Sequence, residues 1–302
     1  MLFRSAAAAA LFVVAVFLFA LFVPYQGFQA DTFVDIPRGT GTRGIATALE
    51  KAGIVRFAWQ FELVRAVRPG AKLQAGEYRF ARSASAREVF DRIARGDIYY
   101  FEFTVPEGSN MFDIAHGLEE QKILPAADFL SAAADPSPIA DLAPKAKSLE
   151  GYLFPSTYRL THNQNAEQLV RQMTAEFRRQ WKKVSESATS TVDVQRAVTL
   201  ASLVEKETGV ATERPLVASV FTNRLAKGMK LECDPTTIYA SLLQGRYNGV
   251  IHRSDLESKN PYNTYQNVGL PPGPIANPGA ADRKSTRLNS SHIPLSRMPS
   301  SA

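Results

Sequence analysis

Two stretches of this chain align with each other without a gap. Residues 34–54, VDIPRGTGTRGIATALEKAGI, lie on residues 103–123, FTVPEGSNMFDIAHGLEEQKI, at an offset of 69. Identical pairs fall at Pro37/Pro106, Gly39/Gly108, Ile45/Ile114, Ala46/Ala115, Leu49/Leu118, Glu50/Glu119 and Ile54/Ile123. The pattern predicts two copies of one unit. Each copy opens with a short alternating strand, turns at Pro-x-Gly, and enters a helix with apolar positions at i, i+3 and i+4. A second helical stretch then leads into Leu-x-Ala-Gly-Glu-Tyr at Leu73 or Leu-Glu-Gly-Tyr at Leu149, both strand-like. The unit is therefore expected to be β-α-α-β, a rigid spacer between the N-terminal segment and the rest of the chain.

That N-terminal segment contains an uncharged run at residues 6–23, strongly apolar in its second half, LFVVAVFLFALFV, and about as long as a bilayer crossing requires. Arg4 and the amino terminus are the only charges before the run, which favours a cytoplasmic N-terminus with everything after Pro24 outside. A retained anchor is the expectation; the alternative, a cleaved signal peptide, lacks a small-x-small site in VPYQGFQA.

The region beyond the repeat carries the chemistry. In LASLVEKET, residues 200–208, a helical wheel with Ala201 at zero brings Val194, Ala197, Val198, Val204 and Thr208 within about 60° of it and Glu205 to about 40°, whereas Glu207 points near 240°. A carboxyl on a buried face loses solvation of its charged form, which makes Glu205 a candidate proton donor. The competing reading is a structural carboxylate satisfied by an Arg or a backbone amide. Ser190 or Thr191 can cap this helix, with Asp193 in its first turn, and Gly209 ends it. An amphipathic helix precedes it over residues 165–185. Another starts at Thr212-Glu-Arg-Pro, and Asp234-Pro235 opens a third, with Asp234 as N-cap, running through Leu243.

Residues 248–279 are rich in Pro, Gly, Asn and Tyr and show little periodicity, and a connection of that length is usually functional. Tyr262 and Tyr265 offer flat faces for sugar rings, and Asn263, Thr264 and Asn277 offer uncharged hydrogen-bonding groups. The alternative is a proline-rich brace packed on the protein's own surface.

Composition excludes more than it indicates. Of 302 residues 45% are hydrophobic, enough for a sizeable core. One cysteine, Cys233, cannot form an internal disulfide, and four scattered histidines have no metal-ligand spacing. No metal is expected. The formal charge of +6 includes Arg283, Lys284, Arg287 and Arg297 in the last twenty residues, and without these four it is +2. Nucleic acid is therefore not an expected partner.

The blocks LASLVEKET, VASVFTNRLAKGMKLECDPTTIY and NPYNTYQNVGLPPGPIANPG together resemble the YceG-like endolytic murein transglycosylases, and FTVPEGSNMFDIAHGL resembles the opening of glycan-binding LysM modules. The resemblance implies an α+β fold: a transmembrane tip at 1–26, a first β-α-α-β unit at 30–100, a LysM-like unit at 101–160 and a catalytic domain at 161–281. It implies a lyase of the plasma membrane, with its catalytic part outside, that cuts peptidoglycan glycan strands to leave 1,6-anhydromuramoyl ends, with cell wall synthesis and division proteins as candidate partners. It also implies that no cofactor is needed, with Glu205 as the catalytic acid and Asn223, Asp234, Thr236, Tyr239, Tyr262, Asn263, Thr264, Tyr265 and Asn277 as substrate contacts. A non-catalytic wall-binding scaffold and a muramidase are the alternatives. The resemblance stops at about Ala281. RKSTRLNSSHIPLSRMPSSA reads as translated junction sequence joined to an incomplete frame and is expected to lie outside the fold.

Overall fold

The computed structural model describes residues 15–17, 19, 21–162, 164–186 and 193–279. The suggested caps Ser190 and Thr191, most of the apolar run at 6–23 and the tail after Ala281 lie outside them. Among the described residues no helix is long and apolar enough to cross a membrane. The architecture is mixed α+β, with two two-stranded sheets among many helices. The chain divides into two compact units, Met1–Phe101 with Arg159–Asn163, and Glu102–Tyr158 with Gln164–Ala302.

In the first unit β1 (Thr32–Ile36) is followed by α1 (Thr42–Lys51), α2 (Ala58–Val67) and β2 (Gly76–Phe80). β1 and β2 pair antiparallel, Thr32 opposite Phe80 and Ile36 opposite Gly76. Alternation puts Val34 and Ile36 of β1 on the buried side, where Ile45 and Leu49 of α1, Phe61 of α2 and Tyr78 and Phe80 of β2 meet them. A further helix, α3 (Ala86–Arg95), was not expected from the repeat. Ser85 and Glu88 close a capping box at its start, and Val89, Phe90 and Ile93 complete the core. Fully burying side chains of this size stabilises by about 1.5–3 kcal/mol each.

The second copy of the repeat runs in the same order: β3 (Phe101–Thr104), α4 (Met111–Glu120), α5 (Ala126–Ala133), a 3-10 turn at Ser137–Ile139, and β4 (Thr157–Leu160), which pairs with β3. The expected strand at Leu149 is absent. Leu149, Glu150, Gly151 and Tyr152 form a turn that is buried throughout, and the closing strand begins at Thr157. The chain continues through α6 (Ala166–Glu186), α7 (Val194–Glu207), α8 (Arg214–Ala226), α9 (Asp234–Leu243) and the short α10 (Arg253–Leu256). This second copy shares one compact unit with α6–α10 and is not a free-standing spacer before them.

α7 is the axis of that unit. Asp193 is its N-cap, accepting from the Arg196 amide at 3.0 Å, two residues after Thr191, the later of the two caps expected from the sequence. The wheel pattern also understates its burial, because every residue from Ala197 to Val204 is buried. The proline-rich segment covers the side that local periodicity left open. Gln195 donates to the Pro272 carbonyl at 2.9 Å, and the Ile275 amide donates to the Ser202 hydroxyl at 3.1 Å. Gly151, at φ +85°, packs so close that a Cβ there would collide with Pro274 and Val198.

Candidate active site

Glu205 occupies the last turn of α7 with its side chain 7% exposed. Its Oε1 accepts from the Arg214 guanidinium at 3.3 Å, and its Oε2 accepts from the Gly279 amide, also at 3.3 Å. Both kinds of partner named by the structural reading of this carboxylate are therefore present. Arg214 is itself 9% exposed and stands at the start of α8, directly before a first-turn proline. The same guanidinium lies 4.0 Å from Glu107, whose side chain is half exposed.

The repeat brings in the opposite wall. Its Pro-x-Gly turn, Pro106-Glu107-Gly108, runs past Glu205. Gly108 has φ +75°, and a Cβ there would stand 3.3 Å from Glu205 Cγ. The next residues are fixed by Asn110, which caps α4 by accepting from the Phe112 and Asp113 amides at 2.9 Å each while Asp113 takes the Asn110 amide at 3.0 Å. The Gly108 amide donates to the Asn277 carbonyl at 2.9 Å, so the turn and the end of the proline-rich segment are joined across the carboxylate. A side chain at Gly279 would meet the Glu107 carboxylate and push it aside. Lys206 reaches the Gly108 carbonyl from outside at 3.4 Å.

Behind this wall lies Glu150, 1% exposed. Burial pushes its carboxyl up to about 7, against hydrogen bonds from the Met111 amide and the Tyr239 hydroxyl that act in the opposite direction. Its Oε1 accepts from Asn277 Nδ2 and its Oε2 from the Met111 amide, both at 2.9 Å. Tyr239 and Tyr262 pack together beside it with ring centroids 5.1 Å apart, and burial pushes the Tyr262 hydroxyl up to about 12.

The residues expected to touch substrate divide into two groups. Thr236, Asn263, Thr264 and Asn277 are completely or almost completely buried. Thr264 accepts from the Cys233 amide at 3.0 Å and shares a hydrogen bond with Thr236 at 2.8 Å. Asn263 donates to the carbonyls of Asp255, Leu256 and Ser258, and Asn277 to the Ser109 carbonyl as well as to Glu150. Their hydrogen-bonding capacity is spent inside the protein, where they brace the segment onto α9, the residues around α10 and the turn before α4, because a buried amide left without partners costs about 1–3 kcal/mol. Tyr239 is also buried. Asn223 and Asp234 face solvent, and Tyr265, partly exposed, donates its hydroxyl to Asp234 at 2.6 Å. Asp234 is thus the first residue of α9, with Cys233 in the capping position, and its carboxylate holds Tyr265 in place of a backbone amide.

Glu207 faces solvent, as the wheel implies, and accepts a weak bond from the Cys233 thiol at 3.6 Å. The acid nearest the site is Glu107. Through the shared guanidinium, the paired oxygens of Glu107 and Glu205 come within about 7 Å of each other. Sequence reasoning missed Glu107, Arg214 and Glu150. Glu150 carries the signal that marked Glu205, an acid within an apolar run, but alternation made that run look like a strand. Among the described residues, no group of acidic, histidine or cysteine side chains could hold a metal ion. A cavity of about 410 Å³ lined by Asp193, Gln195, Pro271 and Pro272 sits at the far end of α7, some ~18 Å from Glu205 at 1.5 Å per residue.

The model of the YceG-like family matches residues 34–285. The chain is 31% identical over 265 residues to the endolytic murein transglycosylase of Bacillus subtilis (strain 168), a match covering 82% of this chain and 72% of that protein. It is 30% identical over 277 residues to the endolytic murein transglycosylase of Streptococcus pneumoniae serotype 2, covering 81% of this chain and 50% of that one. A crystal structure of a yceG-like protein from Listeria monocytogenes superposes with a TM-score of 0.53 at 30% identity, covering 85% of this chain and 89% of the other.

Proposed function

The chain belongs to the YceG-like family, and on that premise we propose that it is an endolytic lytic transglycosylase, cutting the bond between N-acetylmuramic acid and N-acetylglucosamine within peptidoglycan strands. The observation that supports this most directly is an enclosed carboxylate, Glu205, held between a guanidinium and a backbone amide at the end of a buried helix. Glu205 protonates the leaving glycosidic oxygen as its bond to the anomeric carbon breaks. The resulting carboxylate takes the proton of the muramoyl 6-hydroxyl while that oxygen closes on the anomeric carbon. The 1,6-anhydro ring forms, the carboxyl is regenerated, and no water is consumed, so one acid is sufficient. Arg214 steadies the carboxylate between the two proton transfers.

The proposal extends to residues 6–23 as a membrane anchor with the catalytic unit outside the plasma membrane, and to residues 101–160 as a LysM-like glycan contact. Exposed Asn223, Asp234 and Tyr265 are the remaining candidates for direct sugar contact.

Glu107 favours one alternative. Carboxylates separated by about 5–9.5 Å are the arrangement of two-acid glycosidases, and the bound of about 7 Å for Glu107 and Glu205 falls in that range. Digestion of purified peptidoglycan followed by mass spectrometry separates the readings: anhydromuramoyl ends support the lyase, reducing ends support a hydrolase, and intact strands support a scaffold.

A further inference from the structure

Glu150 is a second buried carboxyl, and the reaction above gives it no task. Its partners are all donors: the amides of Met111 and Gly151, the hydroxyl of Tyr239 and the side-chain amide of Asn277. Among the described residues, the titratable and charged groups facing it are Asp113 from α4, Tyr239 from α9 and Tyr262 from the proline-rich segment, none of them a cation. Asn277 carries its influence outward. It accepts from the Leu153 amide at 2.9 Å, donates to the Ser109 carbonyl from both backbone and side chain, and accepts the Gly108 amide on its own carbonyl. Gly108 backs directly onto Glu205, and two residues after Asn277 the Gly279 amide binds Glu205 Oε2.

We propose that Glu150 is a positioning residue for the Glu205 site, holding residues 277–279 and the turn at 106–109 in place through Asn277, and that its ionisation tightens this hold. The proposal rests on Glu205 as the acid. The physical reason is the all-donor shell. An ionised carboxylate satisfies every partner at once and strengthens each bond by its charge. A protonated carboxyl needs an acceptor, and the one partner able to turn its hydroxyl and accept is Tyr239. The remaining bonds, that to Asn277 included, then become weaker neutral ones.

The test uses the full chain, with kcat on peptidoglycan measured from pH 5.5 to 8.5 and hydrogen exchange of residues 106–111 and 275–279, corrected for intrinsic pH dependence, over the same range. In the wild type, kcat is expected to rise through a limb near pH 7, and protection against local openings that leave Glu150 buried to rise with it. Glu150→Gln removes the ionisation and sets an amide against donors, so kcat falls at least tenfold and both limbs disappear. Tyr239→Phe removes a bond that favours the carboxylate, so both limbs move to higher pH. A folded Glu150→Gln with wild-type limbs would overturn the proposal. If that variant does not fold, unmoved limbs in Tyr239→Phe overturn it instead. The exchange measurement needs no turnover, so an inactive wild type would count against the functional reading while exchange still decides the role of Glu150.

Discussion

Replacing Glu205 with Gln removes the proton and leaves the shape. If Glu205 is the acid, turnover falls by the ~10²–10⁴ associated with losing a general acid, or about 3–5 kcal/mol of transition-state stabilisation at 1.36 kcal/mol per decade. The effect on stability comes from the partners. Breaking a buried ion pair by removing one charge costs about 3–5 kcal/mol when the other charge is stranded. Arg214 is 9% exposed but is not stranded, because Glu107 remains 4.0 Å away, and the glutamine oxygen can still accept from Arg214 or Gly279. The expected cost is therefore about 1–2 kcal/mol, a fall in Tm of several degrees at roughly 2–4 °C per kcal/mol for a unit of this size. The assay is release of anhydromuramoyl products measured by mass spectrometry, with Tm from the same samples. Glu107→Gln and Glu207→Gln are the controls, and each should stay within about tenfold of the wild type. Turnover within tenfold of wild type in folded Glu205→Gln would refute the assignment. A Glu107→Gln loss as large as that of Glu205→Gln, with reducing ends in the wild-type products, would replace the one-acid mechanism with a two-acid hydrolase.

Gly108→Ala forces a left-handed backbone on a residue with a side chain and presses its Cβ toward Glu205, so Tm should drop by an amount matching about 1–2 kcal/mol and activity should fall with it; a variant as stable and active as wild type would show that the turn shifts freely. Stability should depend on pH through Glu150, whose folded-state value of about 7 exceeds 4.5 for the unfolded chain. The folded protein therefore holds an extra proton between those values, and stability falls by up to about 3 kcal/mol as pH rises from 4.5 to 7, then stays level. Urea titrations at pH 5 and pH 7.5 should show that loss in the wild type and not in Glu150→Gln, measured as the difference between the two proteins. Burial and the Glu207 carboxylate push the Cys233 thiol far up, so alkylation by iodoacetamide should become measurable only in denaturant, and rapid labelling of the native protein would contradict its placement.

The sequence by itself determined what depends on neighbours along the chain. Periods of 2 and 3.6 mark β1, α1, α2 and their counterparts in the second copy, and the same periodicity places Glu205 on a buried face and Glu207 on an exposed one. Those properties survive in any tertiary arrangement, because they arise from the angle between successive side chains. Tertiary structure decided what surrounds the carboxylate. Glu107 and Gly279, 98 and 74 residues away, and Arg214 on the next helix, meet at Glu205 only because the repeat's turn and the proline-rich segment join each other at the end of α7. The same packing turned Asn263, Thr264 and Asn277 from candidate sugar contacts into internal braces, since a polar side chain in a loop looks alike whether it meets solvent or the backbone of its own protein. Leu149–Tyr152 alternates like a strand, but its hydrogen bonds beyond the turn go to α4, to the end of α5 and to Asn277. A hydrogen bond is set by proximity in space, and for groups more than a hundred residues apart that proximity leaves no trace in local order.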